Sequence, residues 1–259
     1  MFKVKLVSAR TAVGMSLCVL TIALAGGSAP AAACSNASLK GVFGYVHGRP
    51  GGASAVHLEL GQLTLDGQGK VTSGSWTQEN TDGSVSSGAT TGAYSVSKDC
   101  IGRLTLDTED QSPFASHFDI YLNAGDDMFQ LVQSDQNWNQ PGYALAQGTV
   151  TCGLSGRKQV LTTNLYGLTG GEPADTVGQV TLDGKGGISG AETFTRGGVV
   201  TTLAVTGSYT EISDCTGTWK IKRENGATSN FKTVVVNGGS ELLLIQTEEN
   251  TFSAGVAQE

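Results

Sequence analysis

The chain has 259 residues, 37 of them glycine, and a formal net charge of −7 from 16 Lys and Arg against 23 Asp and Glu. The few cations (Lys40, Arg49, Lys70, Lys98, Arg103 and others) are scattered among more numerous carboxylates, which argues against nucleic acid and against an anionic lipid surface as partners. The cysteines include no C-x-x-C pair, so zinc-ribbon and thiol redox chemistry have no motif to rest on.

At the amino terminus Lys3, Lys5 and Arg10 precede an apolar run from Thr11 to Gly26, which ends in Ser28-Ala29-Pro30-Ala31-Ala32-Ala33. This is the pattern of an export signal over residues 1–33 with cleavage after Ala33, since the apolar run is short for a membrane span of about 20 residues. Cys34 follows the small residues directly, the place of a lipid-bearing cysteine, but Ala31 stands where a lipoprotein signal has leucine. A secreted or periplasmic protein is expected, with a lipid anchor on Cys34 as the alternative. Removing residues 1–33 takes away three basic residues and no acidic ones, so the charge of −7 becomes −10.

The remaining chain contains a repeat. Gly61-Gln62-Leu63-Thr64-Leu65-Asp66-Gly67-Gln68-Gly69 recurs as Gly178-Gln179-Val180-Thr181-Leu182-Asp183-Gly184-Lys185-Gly186, seven of nine residues identical at an offset of 117. Gly92-Ala93-Tyr94 before Asp99-Cys100-Ile101-Gly102 recurs as Gly207-Ser208-Tyr209 before Asp214-Cys215-Thr216-Gly217, at an offset of 115. Ala144-Leu145-Ala146-Gln147 likewise matches Gly255-Val256-Ala257-Gln258. Ordered anchors at nearly constant offset mean duplication, and they divide the mature chain into residues 34–150 and 151–259.

Each unit reads as strand and turn. Period-two alternation and β-branched or aromatic residues predict strands at 38–47, 56–65, 70–79, 89–97, 101–107, 116–123, 128–134 and 142–150 in the first unit. The second unit gives 158–168, 175–182, 187–195, 200–212, 216–223, 230–237, 241–247 and 251–258. Asp66-Gly67, Asp183-Gly184 and Asn237-Gly238 supply hairpin turns. The fold class is all-β: two tandem antiparallel barrels of about eight strands each, with β-sandwich domains as the alternative. Closed barrels leave no edge for strand addition, so a monomer is expected.

The run Gly-x-x-Thr-x-Asp-Gly-x-Gly, then Gly-x-Tyr ahead of Asp-Cys-Thr-Gly-Thr, then Asn237-Gly238-Gly239-Ser240-Glu241-Leu242, resembles the repeated unit of bacterial secreted proteins placed with the allene oxide cyclase barrel-like group. The second unit matches best; the first has Ile101 and Arg103 in place of the two threonines. The resemblance implies one antiparallel barrel per unit and carries over no catalytic residues of the cyclase.

The titratable side chains form no motif. His47, His57 and His117 lie in the first unit; His47 and His57 converge if the first two strands pair, but no metal signature accompanies them, and neither a metal nor another cofactor is expected. Asp107, Glu109 and Asp110, or Asp126 with Asp127, lack the alternating ligand pattern of a calcium loop and read as solvated turns. Glu59 and Glu192 sit on predicted strands. Either, if turned into a barrel, would have a raised pKa and be a candidate general acid, whereas outward placement is the plainer expectation. Tyr94 and Tyr209 occupy the same place in both units, either stacking on a ligand or acting as core tyrosines with a backbone partner for the hydroxyl.

The expected function is that of an exported, non-enzymatic two-barrel protein that binds a small apolar molecule or serves as an envelope or extracellular interaction module. An isomerase or cyclase acting in a barrel cavity and a purely structural surface component are the alternatives. Because a duplicated unit duplicates its crosslink, disulfides Cys34–Cys100 and Cys152–Cys215 are expected, with spans of 66 and 63 residues.

Overall fold

The computed structural model describes residues 33–49, 57–80, 84–108, 115–123, 125, 127–135, 140–148, 152, 154, 156–170, 172–212, 214–248 and 251–259. The expected export signal therefore lies outside the described residues apart from Ala33, as do Glu109, Asp110, Asp126 and Trp138. Among the described residues no helix is long and apolar enough to cross a membrane.

The protein forms two closed antiparallel barrels of eight strands. Barrel 1 comprises β1 (Lys40–Arg49), β2 (His57–Asp66), β3 (Lys70–Glu79), β4 (Val85–Val96), β5 (Ile101–Thr108), β6 (Ser116–Leu122), β7 (Met128–Gln133) and β8 (Pro141–Ala146). Barrel 2 comprises β9 (Gln159–Thr169), β10 (Glu172–Leu182), β11 (Gly187–Arg196), β12 (Val199–Glu211), β13 (Thr216–Arg223), β14 (Thr228–Val236), β15 (Glu241–Gln246) and β16 (Thr251–Gln258). Neighbours in sequence pair, and β1 closes on β8 as β9 closes on β16. Pairing first strand to last satisfies every strand edge, which a sandwich leaves open.

The strand positions follow the alternation in the sequence to within three residues at each end, apart from two larger differences. Strand β4 begins at Val85, because Ser86, Ser87 and Gly88 continue the ladder to β3 although they read as turn residues. Strand β8 stops at Ala146, since Gln147 donates its N–H to Val42 and Gly148 takes a positive φ of 77°. In the Asp-Gly turns the aspartate does as much as the glycine. Asp66 Oδ1 accepts the N–H groups of Gln68, Gly69 and Lys70 at 2.7–3.0 Å, and Asp183 Oδ1 those of Lys185 and Gly187 at 2.7 Å. These backbone bonds hold both carboxyls below the usual aspartate range.

Both expected disulfides are present, Cys34–Cys100 and Cys152–Cys215, with Cα separations of 5.0 and 4.6 Å. Each ties the segment before a barrel's first strand to the corner between its fourth and fifth. Cys100 and Cys215 adopt φ values of 63° and 68°, a left-handed conformation costly for a residue with a Cβ.

Inward-facing Phe43, Leu63, Leu104, Phe118, Ile120 and Phe129 fill barrel 1, and Leu161, Val180, Trp219, Ile221, Leu242 and Leu244 fill barrel 2. A third apolar cluster joins the barrels into one compact unit: Val46, Leu58, Leu60 and Leu145 on the outside of barrel 1 meet Val234, Val236, Leu243, Ile245, Phe252 and Ala254 of barrel 2. At 25 cal/mol per Å² each fully buried Leu or Phe there contributes about 1.5–3 kcal/mol. The tie is polar as well, through Gln62 Nε2 donating to Asp214 O at 2.5 Å and Gly238 N donating to Gln147 O at 3.0 Å.

Glu79 sits beside Leu58 on that outward face, fully buried, and neither carboxyl oxygen has a hydrogen-bond partner among the described residues. Burial first, and the neighbouring charge of Glu248 second, push its pKa up to about 9 from 4.5. The folded chain then holds a proton that the unfolded chain releases. The stability this group contributes is fully present below pH 4.5 and is lost as pH rises toward about 9. Glu79→Met is expected to raise stability at pH 8 by about 1–3 kcal/mol and to leave it nearly unchanged at pH 4. Urea unfolding at the two pH values checks this, and equal effects at both would show that Glu79 ionises without penalty.

Candidate functional site

The hairpin of β1 and β2 builds a polar cluster inside barrel 1. Their register pairs Tyr45 with Gly61, His47 with Glu59, and Arg49 with His57, so the Tyr-x-His of one strand and the His-x-Glu of the other share the inward face. Gly61 is required here, because a Cβ at that position would come within 2.5 Å of the Tyr45 ring.

The four side chains are in contact. Tyr45 donates its hydroxyl to Glu59 Oε1 at 2.5 Å. The same oxygen lies 3.4 Å from His47 Nε2, and Glu59 Oε2 lies 3.6 Å from His57 Nε2. The imidazole centroids of His47 and His57 are 5.5 Å apart, and Phe118 packs edge-on against the His47 ring at 5.1 Å. His47 is buried, whereas the side chains of His57 and Glu59 keep 12% of their surface exposed, so the cluster is not fully shut off from solvent. Burial alone would raise the pKa of Glu59, but the two histidines, His47 foremost, outweigh it and hold the carboxyl well below the usual range. Burial, followed by the charge and hydrogen bond of Glu59, raises the Tyr45 hydroxyl far above an ordinary phenol, so Tyr45 remains a donor.

Barrel 2 has the same frame with a different interior at this end. The strand pairings place Thr163, Leu165, Ala174 and Thr176 where barrel 1 has Tyr45, His47, His57 and Glu59. Its own polar group is an ion pair: Arg223 Nε donates to Glu192 Oε1 and Nη1 to Ser229 Oγ at 2.7 Å, and Gln246 Nε2 donates to the same hydroxyl at 3.1 Å.

Comparison with protein-family models and with curated proteins yields no match. The chain's chemistry has to be read from its own site.

Glu59 and Glu192 both face inward, contrary to the outward placement expected of them. Each is stabilised by a cationic or hydrogen-bonding partner that sequence spacing does not reveal, namely the histidines for Glu59 and Arg223 for Glu192. The raised pKa expected of an inward carboxylate is overturned at Glu59 for the same reason. Tyr94 and Tyr209 are buried at the opposite end from the cluster, by the Asp-Gly turns. Tyr94 donates its hydroxyl to Leu39 O at 2.7 Å and accepts from Gly67 N at 2.8 Å, closing that end of barrel 1. His117 is apart from the other two histidines, exposed on β6 with its Nδ1 2.7 Å from Asp135 Oδ1. It borders a surface hollow of about 420 Å³, and a second hollow of about 360 Å³ lies between the barrels, lined by Ser75, Thr77, Thr218 and Lys232 among others. Sequence reading missed Tyr45 and Arg223 as site residues. The visible signal was the two-residue spacing on either side of one hairpin.

Proposed function

We propose that the chain works outside the cytoplasm as a two-barrel binding module in which the polar end of barrel 1 receives a small ligand and barrel 2 serves as scaffold. The observation that carries this reading is the contrast between two copies of one frame: Tyr45, His47, His57 and Glu59 converge in barrel 1 where barrel 2 has Thr163, Leu165, Ala174 and Thr176. A role as scaffold alone does not call for two histidines, a carboxylate and a phenol inside a barrel, where each costs desolvation. Two disulfides support export to an oxidising compartment. Apolar side chains fill the depth of both barrels, which favours a ligand with polar groups held at the polar end of barrel 1 over a wholly apolar one.

A second reading is acid–base catalysis at the same end, an isomerase or cyclase activity in keeping with the resemblance to the allene oxide cyclase barrel-like group. It is favoured by the Tyr45–Glu59 hydrogen bond beside two imidazoles. Native mass spectrometry of the chain taken from its own secretion medium tests the binding reading. A small-molecule adduct is expected on the native chain and absent from His57→Ala; an adduct that survives the substitution places binding elsewhere.

A further inference from the structure

Three groups of metal-ligating type meet in barrel 1 through strand register alone. One nitrogen from each of His47 and His57 and one oxygen of Glu59 all lie within 4.8 Å of one another. Ligands around a tetrahedral cation with bonds of about 2.0–2.1 Å stand about 3.3 Å apart. His47 Nε2 stands at nearly that distance, 3.4 Å, from Glu59 Oε1, and His57 Nε2 is 3.6 Å from the other oxygen, Oε2, so ligation through one oxygen needs the three ligand atoms to close in from the 4.8 Å within which they already lie. Both ring nitrogens of His47 are buried and make no hydrogen bond among the described residues, so the interior holds a polar side chain aimed at the cluster that lacks a full partner. Tyr45 orients Glu59 through its hydroxyl, the outer-shell contact that fixes a ligating carboxylate.

We propose that His47, His57 and Glu59 bind one divalent transition-metal ion, zinc being the best match, with Tyr45 as a positioning residue and a fourth coordination place left for water or a small ligand. Two imidazoles and one carboxylate suit zinc, whereas calcium and magnesium demand oxygen ligands in greater number. Leu165, Ala174 and Thr176 leave barrel 2 without an equivalent, so among the described residues one ion per chain is expected. The proposal rests on the binding role of this end and names what it holds.

The test uses the disulfide-bonded chain stripped by chelator and titrated calorimetrically with Zn²⁺ alone. One ion per chain is expected. His47→Gln and His57→Gln should each weaken binding by more than about 100-fold, and Tyr45→Phe by about 10-fold with the stoichiometry kept. Histidine ring ¹⁵N shifts of the unsubstituted chain guard against variants that fail to fold: on adding Zn²⁺ the signals of His47 and His57 should move while that of His117 stays. No uptake, a second ion, or a response at His117 alone would overturn the site. Lack of uptake alongside a His57-dependent small-molecule adduct overturns the metal alone; lack of both overturns the binding reading too.

Discussion

Replacing Cys34 and Cys100 by alanine is expected to lower the unfolding free energy of barrel 1 by about 4 kcal/mol, and the same change at Cys152 and Cys215 to do so in barrel 2. The crosslinks close loops of 66 and 63 residues, and the chain entropy returned to the unfolded state by opening loops of that length sets the magnitude. The two cysteines of each bridge are unequal. Cys100 and Cys215 stand in the left-handed region, so an unbridged residue with a Cβ at either place retains its conformational cost. Glycine there should recover about 1 kcal/mol relative to alanine, whereas glycine at Cys34 or Cys152 should recover nothing. Guanidinium unfolding followed by tryptophan fluorescence reports barrel 2 through Trp219 once Trp76 and Trp138, both in the first unit, are replaced by phenylalanine in parent and variants alike. A loss below about 1 kcal/mol for the paired substitution would show that the unfolded chain is already too compact for the loop to matter.

The second large effect is expected at Arg223. Its guanidinium and the carboxylate of Glu192 are only 14% and 8% exposed, and Arg223→Met leaves the carboxylate inside barrel 2 without its cation. Breaking one side of such a pair costs about 3–5 kcal/mol near neutral pH. Adding Glu192→Leu should return most of that loss, since the penalty belongs to the stranded charge. Thermal unfolding of parent, single and double variants at neutral pH decides it; a double variant no more stable than the single would mean that packing around Arg223, not charge, was lost.

Much of the fold was legible because barrel strands are amphipathic ribbons whose alternation and Asp-Gly turns are local properties. The duplication then supplied what local pattern cannot, the pairing among Cys34, Cys100, Cys152 and Cys215. The misjudged strand ends are informative: Ser86, Ser87 and Gly88 have turn-like composition, yet an existing ladder on β3 gives their backbone groups partners that outweigh propensity. The site was legible only in part. His47 and His57 meet if the first two strands pair, but that Glu59 lies between them depends on a hairpin register which a one-residue slip would undo. Arg223 and Glu192 are 31 residues apart on strands that are not neighbours in the sheet, and nothing in either segment points across the barrel to the other.

The faces through which the barrels meet are not equivalent under the repeat. Barrel 1 contributes the outside of β1, β2 and β8, and barrel 2 that of β14, β15 and β16, the counterparts of β6, β7 and β8. A head-to-tail contact of this kind is heterologous, and copies docking repeatedly by the same rule would build a ring or a filament according to the rotation at each step. The unused faces are polar only in part. Where barrel 2 docks with Val236 and Leu243, barrel 1 presents Asn123 and Gln130, but Val234 and Ile245 have the exposed Tyr121 and Val132 as counterparts; where barrel 1 docks with Val46 and Leu58, barrel 2 presents Asn164 and Asp175, but Leu60 has the exposed Val177. Divergence after duplication has thus made the two remaining faces more polar than the docked ones at these positions, which lowers the gain from adding a further copy by the same contact.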